Sequence, residues 1–191
     1  DARAILDLPE DALVIVHAGN MGLKQDLGSV VECAKSPEIL NSRIQFVFIG
    51  DGNQREHIQH LAKDMRNIRF IGLLPERELS IWLSAADALL INESETQKSM
   101  SLPSKLTTYL QFRKVILVNT PVGGPTHAAA QTIDLCIHSD SAKEGALAES
   151  VLSLTAETTA PLGEYVLDSA ALKRARLDWA LHMDGIGSAN E

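Results

Sequence analysis

The sequence predicts a Rossmann-like, doubly wound α/β domain: an open parallel sheet of about six strands with helices on both faces. Three observations predict it. Short continuous apolar runs that end in glycine, "ALVIVHAG" and "IQFVFIG", read as strands buried on both faces. Between such runs, apolar residues recur at helical spacing, as at Leu27, Val30, Val31 and Ala34. The two signals alternate along the chain, which means parallel strands joined by crossovers, and right-handed crossovers favour a doubly wound sheet.

Each element follows in order. After the first strand comes the Leu27–Ala34 helix, with Pro37 near its expected stop. "IQFVFIG" is the second strand. Asn53 and Glu56 have the spacing of a capping box ahead of the stripe Ile58, Leu61, Ala62 and Met65. "IRFIG" is the third strand, and Pro75 suits the first position of the helix carrying Leu79, Trp82, Leu83 and Ala86. "ALLI" is the fourth strand. The stretch "SLPSKLTTYL" starts a helix, "VILVN" is the fifth strand and "DLCIH" the sixth. Ser141 and Glu144 offer a second capping box before Leu147, Val151 and Leu154. A last helix is expected near Leu172, Ala175, Trp179 and Met183, and residues 185–191 read as a frayed tail. No linker interrupts the pattern, so residues 1–191 read as one domain.

Composition narrows the function. A formal net charge of −8 argues against a nucleic-acid partner, which needs a basic face. Cys33 and Cys136 lie in apolar runs without zinc spacing and read as buried free thiols of a reducing compartment. His17, His57, His60, His127, His138 and His182 show no metal-ligand spacing; His57 and His60, on a charged helix, read as solvated. No metal and no cofactor is expected. No signal peptide or bilayer-length apolar run is visible, which points to a cytoplasmic location.

In a doubly wound sheet, ligands bind at the carboxyl ends of the strands. After the first strand, "HAGNMGLKQDLG" sets Gly19 and Gly22 for a tight turn and Lys24 as a point charge; an ordinary turn with a solvated lysine has the same sequence. After the second, "GDGNQRE" lacks the dinucleotide fingerprint. After the third, Gly72 either presents free backbone groups to a flat ring, with Leu73 and Leu74 beside it, or those leucines are core. After the fourth, Pro103, Ser104 and Lys105 open a helix; "PSK" at a helix start either seats phosphate oxygens or is simply a proline-initiated helix with an exposed lysine. Gly123 and Gly124 before Pro125 shape another ligand-facing loop or simply start a helix. Lys24 and Lys105 follow different strands of one sheet; converging on one crevice, they suit a diphosphate.

Four segments in order, "AGNMGLKQDL", "FVFIGDG", "RFIGLLPERELSIWLSAADALLI" and "LPSKL", carry a resemblance. From about Ala12 to Gly124 the chain resembles the carboxyl-terminal, nucleotide-sugar-binding domain of family 4 (group 1) glycosyltransferases of the GT-B fold. "PSKLT" is most similar to a subgroup that includes colanic-acid-type exopolysaccharide transferases. The resemblance implies a retaining hexosyltransferase of polysaccharide biosynthesis, using a UDP- or GDP-sugar without a bound metal. It implies that Gly19, Asn20, Lys24, Pro103, Ser104 and Lys105 meet the donor diphosphate, with Lys24 and Lys105 catalytic. Gly72, Leu73 and Leu74 would meet the base, Gly50 would line the crevice, and Thr108 falls at the ribose position. The family's two glutamates, seven residues apart, fall at about Met100 and at Thr108, neither acidic; either Glu93 or Glu95 stands in for the first, or both are plain loop charges. The usual Ala-Gly-Lys-Pro run is replaced by Gln111 to Val115. The resemblance also implies an amino-terminal acceptor domain absent from this chain, no turnover by this domain alone, and peripheral association with the cytosolic membrane face through the other domain. Two alternatives remain: half of a GT-B sugar-nucleotide epimerase, and a non-catalytic module of the same fold.

Overall fold

The structure, a computed structural model, describes residues 2–94 and 104–157. Pro103, Glu95, Met100, the expected helix near Leu172–Met183 and the tail lie outside the described residues. All six expected strands are present: β1 (Leu13–Ala18), β2 (Ile44–Ile49), β3 (Ile68–Ile71), β4 (Ala88–Asn92), β5 (Val115–Thr120) and β6 (Cys136–Asp140). The helices are α1 (Ala2–Ile5), α2 (Leu27–Ala34), α3 (Pro37–Leu40), α4 (Arg55–Leu61), α5 (Glu76–Ala85), α6 (Ser104–Leu110), α7 (Pro125–Ala130) and α8 (Ala146–Glu157). They flank one sheet of order β3-β2-β1-β4-β5-β6, and every neighbouring pair of strands is parallel.

The alternation of side chains along each strand builds two cores. Val14, Val16 and Ala18 of β1 join Val47, Ile49, Leu89 and Ile91 in one layer, closed by Trp82 and Leu83 of α5 and Leu106, Tyr109 and Leu110 of α6. Leu13 and Ile15 join Phe46, Phe48 and Leu90 in the other, closed by the α2 stripe, Ile58 of α4, and Leu147 and Val151 of α8. Burial on both faces explains why the strands read as unbroken apolar runs.

Several local expectations are corrected. Neither capping box forms. Helix α4 starts from Gln54 without a side-chain cap, because the Arg55 amide bonds back to Gly52 and the Gln54 amide to Met21 of the neighbouring loop. Helix α8 starts at Ala146, after a turn in which the Lys143 amide bonds to Asp140 and Gly145 takes a φ of +79°. Pro75 is the N-cap of α5 rather than its first residue, and Pro37 opens α3 rather than only ending α2. Gly124 and Pro125 start α7. The two thiols are free but half-buried, packed on opposite faces of the sheet, Cys33 in one core layer and Cys136 in the other. Burial pushes them up to about 11 and about 12, so both stay protonated and unreactive at neutral pH. His57 and His60 are exposed, as expected.

The loops after β1 and β2 touch backbone to backbone. Gly19 (φ +128°) donates its amide to the Ile49 carbonyl at 2.8 Å, and a Cβ at Gly50 (φ +132°) would collide with the Gly19 carbonyl oxygen. Gly50→Ala is therefore expected to cost about 3 kcal/mol or more in urea unfolding. Gly145→Ala, also at positive φ but with open space around it, should cost only about 1 kcal/mol. Equal costs would mean that the contact between the loops is not constraining.

Candidate functional site

The strand order reverses between β1 and β4, which pair at Ile15–Ala88 and Val16–Leu89. Chains leaving the carboxyl ends of these strands turn opposite ways and open a crevice. One lip is the loop after β1. It runs through Gly19 and Asn20, both exposed, and a 3-10 turn at Leu23–Gln25, into α2. The end of β4 holds this lip. The Asn92 side-chain amide donates to the carbonyls of Gln25 (2.8 Å) and Asp26 (3.0 Å), and is itself held by the Asn119 amide at 2.6 Å. The Ser94 amide donates to the Lys24 carbonyl at 2.9 Å. The Lys24 ammonium lies 3.5 Å from the Glu93 carboxylate, whose other oxygen accepts the Thr126 hydroxyl at 2.7 Å.

The other lip is α6. Tyr109 and Lys105 stand one turn apart on the same helix face. The buried Tyr109 hydroxyl accepts the Ala18 amide at 2.9 Å, pinning α6 to the end of β1. Lys105 then reaches over Gly19: a Cβ there would fall 2.8 Å from the Lys105 Cε. Its Nζ lies 3.0 Å from Nε2 of His17, a wholly buried residue of β1. His17 Nδ1 is 3.1 Å from the Leu90 carbonyl, which can only accept. Nδ1 therefore carries the hydrogen, and Nε2 is free to accept from Lys105.

Burial pulls Lys105 down to about 8; Lys24 lowers it further and Glu93 opposes. His17 is lowered to about 3, first by burial and then by the Lys105 charge, against the favourable backbone groups of Leu90 and Asn20. At neutral pH Lys105 is thus an ammonium resting on a neutral imidazole, beside the Lys24–Glu93 ion pair.

The remaining expected residues are placed as follows. Ser104 begins α6 and is exposed; Thr108 is exposed one turn later, its hydroxyl donating to the Ser104 carbonyl at 3.1 Å. Gly50 abuts Gly19. Gly72, Leu73 and Leu74 follow β3 at the sheet edge, two strands from β1 and away from the lysine pair. Leu73 is 77% exposed, whereas Leu74 packs against the core. Sequence reasoning missed His17, Tyr109, Asn92 and Arg55. Arg55 donates to the Gly50 carbonyl at 2.9 Å, and its Nη1 is 3.9 Å from where a Cβ on Gly72 would lie, so its guanidinium sits between the ends of β2 and β3. The available signals were a histidine closing an apolar strand and asparagines ending both "ALLIN" and "VILVN".

The geometry defines a doubly wound α/β domain with a cationic crevice at the switch point of its sheet. The sequence pattern of the glycosyl transferases group 1 family matches residues 1–162, and the chain belongs to that family. It is 31% identical over 110 residues to the putative colanic acid biosynthesis glycosyl transferase WcaI of Escherichia coli strain K12, covering 56% of this chain and 26% of that protein. WaaG, a glycosyltransferase involved in lipopolysaccharide biosynthesis, superposes with a TM-score of 0.67 at 17% identity, covering 92% of this chain and 44% of WaaG. Anabaena Alr3699/HepE, solved in complex with UDP-glucose, gives 0.66 at 11% identity, covering 82% of this chain and 42% of HepE. Each match spans less than half of the relative's length. The fold is the Rossmann-like unit of GT-B glycosyltransferases. Among the described residues no helix is long and apolar enough to cross a membrane.

Two outcomes are expected. Tyr109→Phe strands the buried Ala18 amide and should cost about 1–3 kcal/mol in urea unfolding. The folded value of Lys105 lies below the ordinary 10.5, so between about pH 8 and 10.5 the unfolded chain holds a proton that the folded chain has lost. Stability contributed by this group therefore rises with pH across that window. Unfolding at both ends of the window should show a steeper rise in the parent than in Lys105→Met; identical slopes would remove Lys105 from its buried position.

Proposed function

We propose that this domain binds the donor of a retaining glycosyltransferase, a UDP- or GDP-sugar, and that Lys24 and Lys105 hold its diphosphate. The observation that carries the reading is the meeting of these two ammonium groups around Glu93 at the switch point, in a chain of the group 1 family. The UDP-glucose bound to HepE supports the choice of donor class.

The chemistry follows from the charges. When the bond between the sugar C1 and the phosphate oxygen breaks, its electron pair stays on the diphosphate. Lys105 and Lys24, fixed before the reaction, stabilise that growing charge without reorganisation. Burial strengthens the effect, because a desolvated ammonium interacts more strongly with an incoming anion. Ser104 and the Gly19–Asn20 turn are the adjacent exposed groups that complete the diphosphate seat. Gly72 and the exposed Leu73 offer the base an apolar surface next to a glycine backbone, and Gly50 lines the floor between. Thr108 spends its hydrogen on Ser104, so a ribose hydroxyl would donate to the Thr108 oxygen. The acceptor site and any membrane contact at the cytosolic face are assigned to an amino-terminal domain outside this chain. This domain alone is expected to bind donor without turning it over.

Calorimetry with UDP and GDP tests the reading. Lys105→Ala and Lys24→Ala should each weaken the bound nucleotide about tenfold or more, as expected for loss of a charged hydrogen-bond partner. Affinity of the parent should fall as the pH rises through about 8, where Lys105 loses its proton. Unchanged affinity in Lys105→Ala would place the diphosphate elsewhere.

A further inference from the structure

We infer that His17 is a positioning residue for Lys105: a two-ended buried strut whose Nδ1–H is anchored on the Leu90 carbonyl and whose bare Nε2 holds the ammonium over Gly19. The inference rests on the reading of Lys105 as a diphosphate ligand.

His17 lies in β1 with no exposed surface, at a position that an aliphatic side chain would otherwise fill. A polar ring buried there costs free energy unless both nitrogens are satisfied. Both are, at 3.1 Å to Leu90 on β4 and 3.0 Å to Lys105 on α6. The ring edge packs against Phe48, with centroids 6.3 Å apart, which fixes its orientation. The ring therefore links three elements at the point where the crevice opens.

The identity of the acceptor matters. Lys24 is paired with a carboxylate, Glu93, which offsets its charge. Lys105 is held by a neutral acceptor, which orients the ammonium and leaves its charge for an anion. The charged groups facing Lys105 are Glu93 at the end of β4 and Lys24 from the loop after β1, one of each sign. Hydrogen bonding to the neutral imidazole favours the protonated amine. Removing the acceptor should therefore lower the proton affinity of Lys105 and let its side chain leave Gly19. A residue that only filled space would change neither.

The test combines NMR of the chain without ligand with nucleotide binding as a function of pH. Imidazole nitrogen shifts of the parent should show His17 neutral, with hydrogen on Nδ1 and none on Nε2, from pH 5 to 9; hydrogen on Nε2 would overturn the inference and requires no variant. Titration of the lysine ε-methylene signals, with Lys105→Arg as the assignment control, should show the Lys105 midpoint about one pH unit lower in His17→Leu than in the parent. His17→Gln, whose side-chain carbonyl supplies an acceptor in place of Nε2, should restore it. UDP or GDP affinity at pH 7.5 should fall about tenfold in His17→Leu and recover in His17→Gln. A parent midpoint and parent affinity in a folded His17→Leu would sink the strut. If the NMR shifts behave as stated but the parent binds neither nucleotide, the strut stands and the donor-binding reading fails.

Discussion

The pairing of β1 with β4 is the contact on which the candidate site depends. Ile15 lies beside Ala88 and Val16 beside Leu89, although β2 and β3 intervene in the sequence. The first three strands are laid down in one direction from this seam and the last three in the other. There the chain leaves β1 for the face covered by α2, while β4 leads to the face covered by α6, the arrangement in which a doubly wound sheet opens at its carboxyl edge. Lys24 on one side, Glu93 and Lys105 on the other, and His17 beneath them owe their proximity to that seam.

The charge of the crevice runs against that of the chain. The sequence carries a net −8, which disfavours anions at long range, yet its desolvated lysine lies in this opening. Burying Lys105 costs stability, and the fold bears that cost through the Tyr109 hydroxyl, the Ala18 amide and the His17 ring. The same arrangement explains the absence of side chains at Gly19 and Gly50. One glycine leaves room for the lysine stem, and the other lets the neighbouring loop support the first.

The fold was legible in the sequence because buried strands and helix stripes are local patterns. All six strands fall where the apolar runs place them. The capping boxes at Asn53 and Ser141 were misleading: their spacing is local, but tertiary turns fixed by Met21, Gly52 and Gly145 decide where those helices begin. The lysines were legible as residues following strands, and their convergence required only the doubly wound topology. His17 was not legible, since its partners Leu90 and Lys105 are 73 and 88 residues away. Asn92 escaped notice for the same reason: its hold on the loop carrying Lys24 spans 67 residues and arises only when β4 lies beside β1.

The most direct measurement is a crystal structure of this chain with bound UDP or GDP. The account predicts diphosphate oxygens within hydrogen-bonding distance of the side-chain nitrogens of both Lys24 and Lys105, with Lys105 still over Gly19. A nucleotide whose phosphates touch neither lysine would contradict it.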